Sequence, residues 1–236
     1  MKPVFASAGS APTWDVGSAS LLWVTDTTVH RLHPGSRTHT ETVVPQPIGA
    51  ALPRTNGGLV LNLRDGIGLR DLDDRLTWLV YWHRDGGKAG PAATDPTGNL
   101  WAATADQLIR VQPDGRAKVI RDGVPVTGLA SGPDRLYLAT PHGIESTVDG
   151  GEPEPLCELP GAAGLCVDAD GHIWVAAADE IVCLTPTGAI DRTLAVPGAT
   201  GCCFGGSDFT DLYVTAEEVQ VIAGVGTGLP TARFLG

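Results

Sequence analysis

The chain has 236 residues, 42% of them hydrophobic, and its 27 carboxylates against 16 cationic side chains give a formal charge of −11. That balance argues against a phosphate-backbone partner, no run approaches the ~18 apolar residues of a membrane helix, and the apolar fraction is too high for a disordered chain. What remains is a soluble, turn-rich protein in which 31 Gly and 18 Pro make up about a fifth of the residues.

The N-terminal Met1-Lys2-Pro3-Val4-Phe5-Ala6-Ser7 has no apolar core of signal-peptide length. Five cysteines, Cys157, Cys166, Cys183, Cys202 and Cys203, form no Cys-x-x-Cys pair and are odd in number. Free thiols and a cytoplasmic location are the expectation. Lysine occurs only at Lys2, Lys88 and Lys118, the other cationic residues being Arg. That bias fits a high-GC bacterial genome.

Along the chain one pattern recurs. Leu22-Trp23-Val24-Thr25, Val60-Leu61-Asn62-Leu63, Leu100-Trp101-Ala102-Ala103, Leu136-Tyr137-Leu138-Ala139, Ile173-Trp174-Val175-Ala176 and Leu212-Tyr213-Val214-Thr215 follow one another at 36–40-residue steps. Self-similarity at this period marks a solenoid or a propeller. Each unit has the same grammar, clearest in the fifth. A small-residue strand, Gly164–Asp168, meets the turn Ala169-Asp170-Gly171. The Trp174 strand follows, then Ile181–Leu184, the turn Pro186-Thr187-Gly188 and a closing strand, Ile190–Val196. Gly in such turns supplies positive φ between short apolar runs. Four strands per unit, six times over, predict an all-β, single-domain, six-bladed β-propeller. The blades fall at about 10–44, 47–82, 90–122, 126–159, 161–196 and 198–236. The N-terminal strand, residues 3–6, is expected to complete the blade holding Thr231-Ala232-Arg233-Phe234. The tryptophans Trp23, Trp101 and Trp174 read as core.

In such a ring, the first strand of each blade lines a channel. The loops between second and third strands open at its mouth with the connections from blade to blade. Asp26, Arg64, Asp65, Asp106, His142, Asp179, Glu180, Glu217 and Glu218 fall on those loops. His142 is the best acid–base group among them, because an imidazole titrates near neutrality; Asp26 is its expected carboxylate companion. Arg64, Glu217 and the polar stretch His83, Arg84, Asp85 and Lys88 are expected to bind substrate. His30-Arg31-Leu32-His33, with His39 nearby, has the residue types of a metal motif. On a strand, however, an offset of three sets the two rings on opposite faces, so no metal is expected there. No Gly-x-Ser-x-Gly elbow accompanies any serine.

Several segments resemble the regucalcin/gluconolactonase (senescence marker protein) family over essentially the full length. They are Gly9-Ser10-Ala11-Pro12-Thr13-Trp14-Asp15, Asp95-Pro96-Thr97-Gly98-Asn99-Leu100-Trp101, Val167–Ala176 and above all Cys202-Cys203-Phe204-Gly205-Gly206-Ser207-Asp208 running on to Leu212-Tyr213-Val214-Thr215. The resemblance implies a six-bladed propeller that hydrolyses lactones or related esters with one divalent metal at the mouth. It implies a Glu before the first blade and an Asn and an Asp at the starts of two later blades as ligands. In this sequence those frames hold Ser10, Thr127 and Ala163. None offers the anionic oxygen a hard dication needs. The family's substrate-loop Arg-x-Asn falls on Lys88 and Gly90, or with a gap on Arg84, and the Asn is absent either way. The mouth loops are short, which suits a larger or protruding ligand.

The expectation is therefore a metal-independent, lactonase-like enzyme without cofactor, acting on a small organic molecule of secondary metabolism by hydrolysis, cyclisation or isomerisation. Its residues would be His142 and Asp26 for catalysis, and Ser10, Arg64, His83, Arg84, Lys88, Thr127 and Glu217 for binding. The alternative is a non-catalytic ligand- or protein-binding propeller. A polar dyad of perturbed pKa at the mouth discriminates the two. No nucleic-acid or membrane partner is expected, and the chain is expected to be a monomer or weak dimer.

Overall fold

The computed structural model describes residues 2–5, 8–82, 87–148 and 150–236. Every element among them is a strand, and the strands form six four-stranded antiparallel sheets arranged as the blades of a six-bladed β-propeller. Blade 1 is β2 (Ser10–Asp15), β3 (Ser20–Thr25), β4 (Thr28–His33) and β5 (Thr38–Val43). Blade 2 is β6 (Ile48–Pro53), β7 (Leu59–Leu63), β8 (Gly66–Arg70) and β9 (Leu76–Tyr81). Blade 3 is β10 (Ala92–Thr94), β11 (Leu100–Ala103), β12 (Gln107–Val111) and β13 (Ala117–Asp122). Blade 4 is β14 (Gly128–Ser131), β15 (Leu136–Thr140), β16 (Gly143–Thr147) and β17 (Glu154–Glu158). Blade 5 is β18 (Ala162–Val167), β19 (Ile173–Ala177), β20 (Glu180–Leu184) and β21 (Ile190–Ala195). Blade 6 joins β22 (Gly201–Gly205), β23 (Asp211–Thr215) and β24 (Val219–Ala223) to the N-terminal β1 (Lys2–Phe5), so the chain's first strand is the outermost of its last blade. No helix is long and apolar enough to cross a membrane.

The strands that carry the repeat signature are the second of each blade, and they are buried on both faces. That double burial explains why they read as near-continuous apolar runs rather than as alternating ones. Trp23 and Trp174 are fully buried and Trp101 nearly so. Core clusters form between adjacent blades, for instance Ile181, Cys183 and Val196 of blade 5 against Phe204, Leu212 and Val214 of blade 6. The driving force is thus blade-on-blade burial of apolar faces.

The turn between first and second strands repeats one device. Asp95 Oδ1 accepts the backbone N–H groups of Thr97 (3.0 Å) and Asn99 (2.9 Å), while Oδ2 accepts Trp101 Nε1–H (3.0 Å). In blade 5, Asp168 Oδ1 accepts from the N–H groups of Asp170 (3.0 Å) and His172 (2.8 Å), and Oδ2 from Trp174 Nε1 (2.9 Å). A carboxylate so placed satisfies the turn backbone and the one polar atom of a core tryptophan together. Burial alone would raise the Asp95 pKa, but the bonds from Thr97, Asn99 and Trp101 outweigh it and hold the group below its usual range. A depressed folded-state pKa contributes stability above the unfolded value of about 3.9, and that stability is lost as pH falls through the folded value. Asp95→Asn should therefore flatten the acid limb of the stability curve. Urea midpoints measured from pH 5 down to pH 2 check this, and a variant as acid-sensitive as the parent would refute it.

One expectation is corrected. Thr231–Phe234 is not a blade strand; β1 pairs with β24 instead. The segment after β24 crosses the end of the ring opposite the mouth. Gly228 bridges to Asp168 of blade 5, Phe234 bridges to Arg54 after β6, and Leu235 N–H donates to Gly98 O of blade 3. Its alternation mimics a strand because Phe234 must point inward: it is fully buried among Leu52, Val60, Leu100 and Ile109 of blades 2 and 3.

Candidate functional site

The six inner strands enclose an axial cavity of about 590 Å³. Its mouth lies where each inner strand begins. There the chain reads x-Gly five times, at Ile48-Gly49, Ala89-Gly90, Thr127-Gly128, Ala163-Gly164 and Thr200-Gly201. A β-carbon on Gly49 would lie 2.0 Å from Gly90 O, and one on Gly128 2.1 Å from Ala163 O. Only glycine permits backbones to meet that closely.

Hydroxyl groups join neighbouring blades at this level. Thr127 Oγ1 donates to Ala162 O (2.7 Å), tying blade 4 to blade 5. Thr200 Oγ1 lies 2.6 Å from Gly9 O and 2.9 Å from Thr215 Oγ1, tying blade 6 to blade 1. Asn62 Nδ2 donates to Gly90 O (2.9 Å) and Ala103 O (2.8 Å), tying blade 2 to blade 3.

Below the rim the walls are apolar, with Leu52, Leu129, Leu165 and Phe204 among them, and Leu229–Ala232 form the floor. Cys166, Cys202 and Cys203 also line the cavity, with Cys166 Sγ 3.6 Å from Cys202 Sγ. Burial pushes the Cys166 and Cys203 thiols well above their ordinary range, so they are uncharged at neutral pH. Among the described residues, the lining contains no Asp, Glu, His, Lys or Arg.

Of the residues singled out in the sequence, Ser10 and Thr127 face this cavity. Asp26, Arg64, His142 and Glu217 are exposed on the turns between second and third strands, outside the lining. Those turns contribute backbone instead: Asp26 O accepts from Ile48 N–H and Asp65 O from Trp82 N–H, both at 2.8 Å, which pins each turn to its blade's exit. Arg64 is engaged by its neighbour, Nε donating to Asp65 Oδ1 at 3.0 Å, and Asp65 also accepts from Gln46 Nε2 at 2.8 Å. Lys88 is exposed on the approach to blade 3, beside the lining residue Ala89. His83, Arg84 and Asp85 lie outside the described residues. Sequence reasoning passed over Thr200, the cysteine pair and the Leu229–Ala232 floor. For Thr200 a signal existed, since Thr200-Gly201 repeats Thr127-Gly128.

The family model for the "SMP-30/Gluconolactonase/LRE-like region" matches residues 8–138 and 145–218, most of the chain. The chain belongs to this family. It is 28% identical to a 6-deoxy-6-sulfogluconolactonase of Pseudomonas putida over 242 residues, 89% of this chain and 83% of that protein. It is 27% identical to regucalcin of Xenopus laevis, over 88% of this chain and 82% of that one. Among solved structures, a luciferin-regenerating enzyme superposes with a TM-score of 0.91 at 18% identity, covering 100% of this chain and 99% of the other. A regucalcin from Agrobacterium tumefaciens, titled a calcium-binding protein, superposes with a TM-score of 0.88 at 21% identity over 98% and 97% of the two chains. At these identities the superpositions speak for the fold, and the match to the family model carries the membership. This lactonase-family propeller thus combines the family's architecture with a cavity lining that, among the described residues, lacks carboxylate, imidazole and amine.

Proposed function

We propose that this lactonase-family propeller is a binding protein for an uncharged, largely apolar small molecule. On this reading it holds no metal at the family's site. The observation that carries it is that the described residues lining the 590 Å³ cavity are all uncharged, and that volume lies within the ~300–1,000 Å³ of small-molecule sites. A charged ligand entering such a lining would lose its hydration with no counter-charge to replace it.

The family's divalent metal does not fit these residues. Its ligand frames hold Ser10, Thr127 and Ala163, with no anionic oxygen among them. The Thr127 hydroxyl is already engaged by the backbone carbonyl of Ala162, the residue before the Ala163 frame. Because Thr127 spends its proton on that carbonyl, it meets a ligand as an acceptor. The ligand group it recognises is therefore a donor, a hydroxyl or an amide N–H.

The metal-independent enzyme expected from the sequence needs an acid–base pair at the channel. Among the described residues the lining offers none, which favours binding over catalysis. Two measurements test this. Gluconolactone hydrolysis with added Ca²⁺ or Zn²⁺ should not exceed the uncatalysed rate. The neutral fluorophore N-phenyl-1-naphthylamine should bind with a blue shift, and Ser131→Trp, which fills the channel, should weaken it by about tenfold or more. Metal-stimulated turnover, or metal-free turnover lost in His142→Ala, would restore the enzyme.

A further inference from the structure

Away from the channel, the outer half of blade 1 brings together three side chains that could share a ligand. β4 and β5 pair with His30 opposite Glu41 and Leu32 opposite His39. Period-two alternation then sets His30, His39 and Glu41 on one face of the sheet. His33 projects from the other face and bonds Ser36, as the sequence spacing required. The partner that spacing overlooked comes from across the hairpin.

We propose that His30, His39 and Glu41 bind one divalent transition-metal ion of the zinc class, a site outside the cavity and distinct from the family's frames at Ser10, Thr127 and Ala163. His30 Nδ1 lies 3.2 Å from His39 Nε2 and 3.5 Å from Glu41 Oε1, and the three ligand atoms lie within 4.8 Å of one another. Two imidazole nitrogens each bound at ~2.0–2.1 Å in a tetrahedron sit about 3.3 Å apart, so the pair is spaced for an ion between them. Two imidazoles and a carboxylate are donors suited to zinc, with water as the fourth ligand.

The surroundings support the site. His30 Nε2 lies 2.8 Å from Thr25 Oγ1. With the Nε2 proton donated to that hydroxyl, the Nδ1 lone pair is left facing the cluster, the second-sphere arrangement metal-bound histidines use. Trp23 stacks on His30 with ring centroids 4.9 Å apart and fixes its plane. Glu41 is exposed, so an ion has a way in. Phe5 of β1 covers His39 with centroids 4.0 Å apart, which places the site at the seam where blade 6 meets blade 1. The other cluster of suitable types among the described residues, Asp168, Asp170 and His172, is occupied differently, since both Asp168 oxygens already brace the turn and Trp174.

The test titrates Zn²⁺ into chelator-stripped protein by calorimetry, with thermal unfolding in parallel. One equivalent should bind and raise the unfolding midpoint. His39→Ala should weaken binding by about tenfold or more, and Thr25→Val, which only loosens the orienting bond, by roughly tenfold. Glu41→Gln, on an exposed side chain, should weaken it too and serves if His39→Ala fails to fold. Co²⁺ in place of zinc should give visible bands without thiolate charge transfer. No saturable binding, equal binding in His39→Ala and Glu41→Gln, or a thiolate band showing that the ion sits on the cysteines would overturn the assignment.

Discussion

Truncating Phe234 to alanine should destabilise the propeller by about 3–5 kcal/mol, the range for emptying a fully buried aromatic site. The side chain is 0% exposed and fills a space bounded by Leu52, Val60, Ile67, Leu100, Ile109 and Val111. These come from the first three strands of blades 2 and 3, whose backbones are fixed by their own sheets. The walls therefore have little freedom to collapse into the gap, which pushes the cost toward the upper part of the range. The flanking backbone bonds, Phe234 N–H to Pro53 O (3.1 Å) and Thr55 N–H to Phe234 O (2.9 Å), hold the segment in place but do not fill the cavity. Leu72→Ala, at a residue 79% exposed, is the control and should stay within about 0.5 kcal/mol. Urea unfolding reads both, and the m-value shows whether the transition remains two-state. A loss below about 1 kcal/mol at Phe234 would mean that the segment across the ring is a loose strap rather than part of the core.

The second large effect is expected at Asp168. Asp168→Ala removes the acceptor for the N–H groups of Asp170 and His172 and for Trp174 Nε1. The two backbone donors lie near the surface, where water can replace the carboxylate. Trp174 cannot recruit water, being fully buried between blades 5 and 6. Hydrogen bonds to charged groups contribute roughly 1.5–3 kcal/mol each, and a buried donor left unpaired carries its full desolvation cost, so a loss of roughly 3 kcal/mol or more is expected. Trp174→Phe deletes the donor, and the double variant should recover part of the loss. A coupling energy of about 1–2 kcal/mol from the four-protein cycle is the expected reading. Additive losses would show that the carboxylate acts on the turn alone.

Much of the ring was legible in the sequence because its repeat is carried by residues with one job each. A core aromatic such as Trp23, Trp101 or Trp174 marks the second strand of a blade, and the Asp six residues before Trp101 or Trp174 marks the turn that feeds it. The tail misled for a physical reason. An extended segment needs the same inward–outward alternation as a strand, whether its hydrogen bonds run along a ladder or to scattered carbonyls. The site was less legible still. Asp26, Arg64, His142 and Glu217 draw attention by their chemistry, but they sit on tight turns where solvent is the natural partner. The cavity is made by inner strands of Gly, Ala, Pro, Leu and Thr, residue types that announce packing rather than recognition. Ser10 and Thr127 were found only through motif frames, and the His30–His39 approach depends on a hairpin register that spacing along the chain does not show.

The pairing of β1 with β24 also has a consequence for how the molecule is made. Phe5 finds its partner Val219 only after more than two hundred further residues have been synthesised. Each of blades 1 to 5 can assemble from a contiguous stretch, but the circle stays open, and the surface of blade 1 around Trp23 and His39 stays uncovered, until blade 6 is complete. A contact that distant in sequence puts closure among the slow steps of folding, and it makes the nascent protein most vulnerable to mispairing at the seam while the first strand waits for the last.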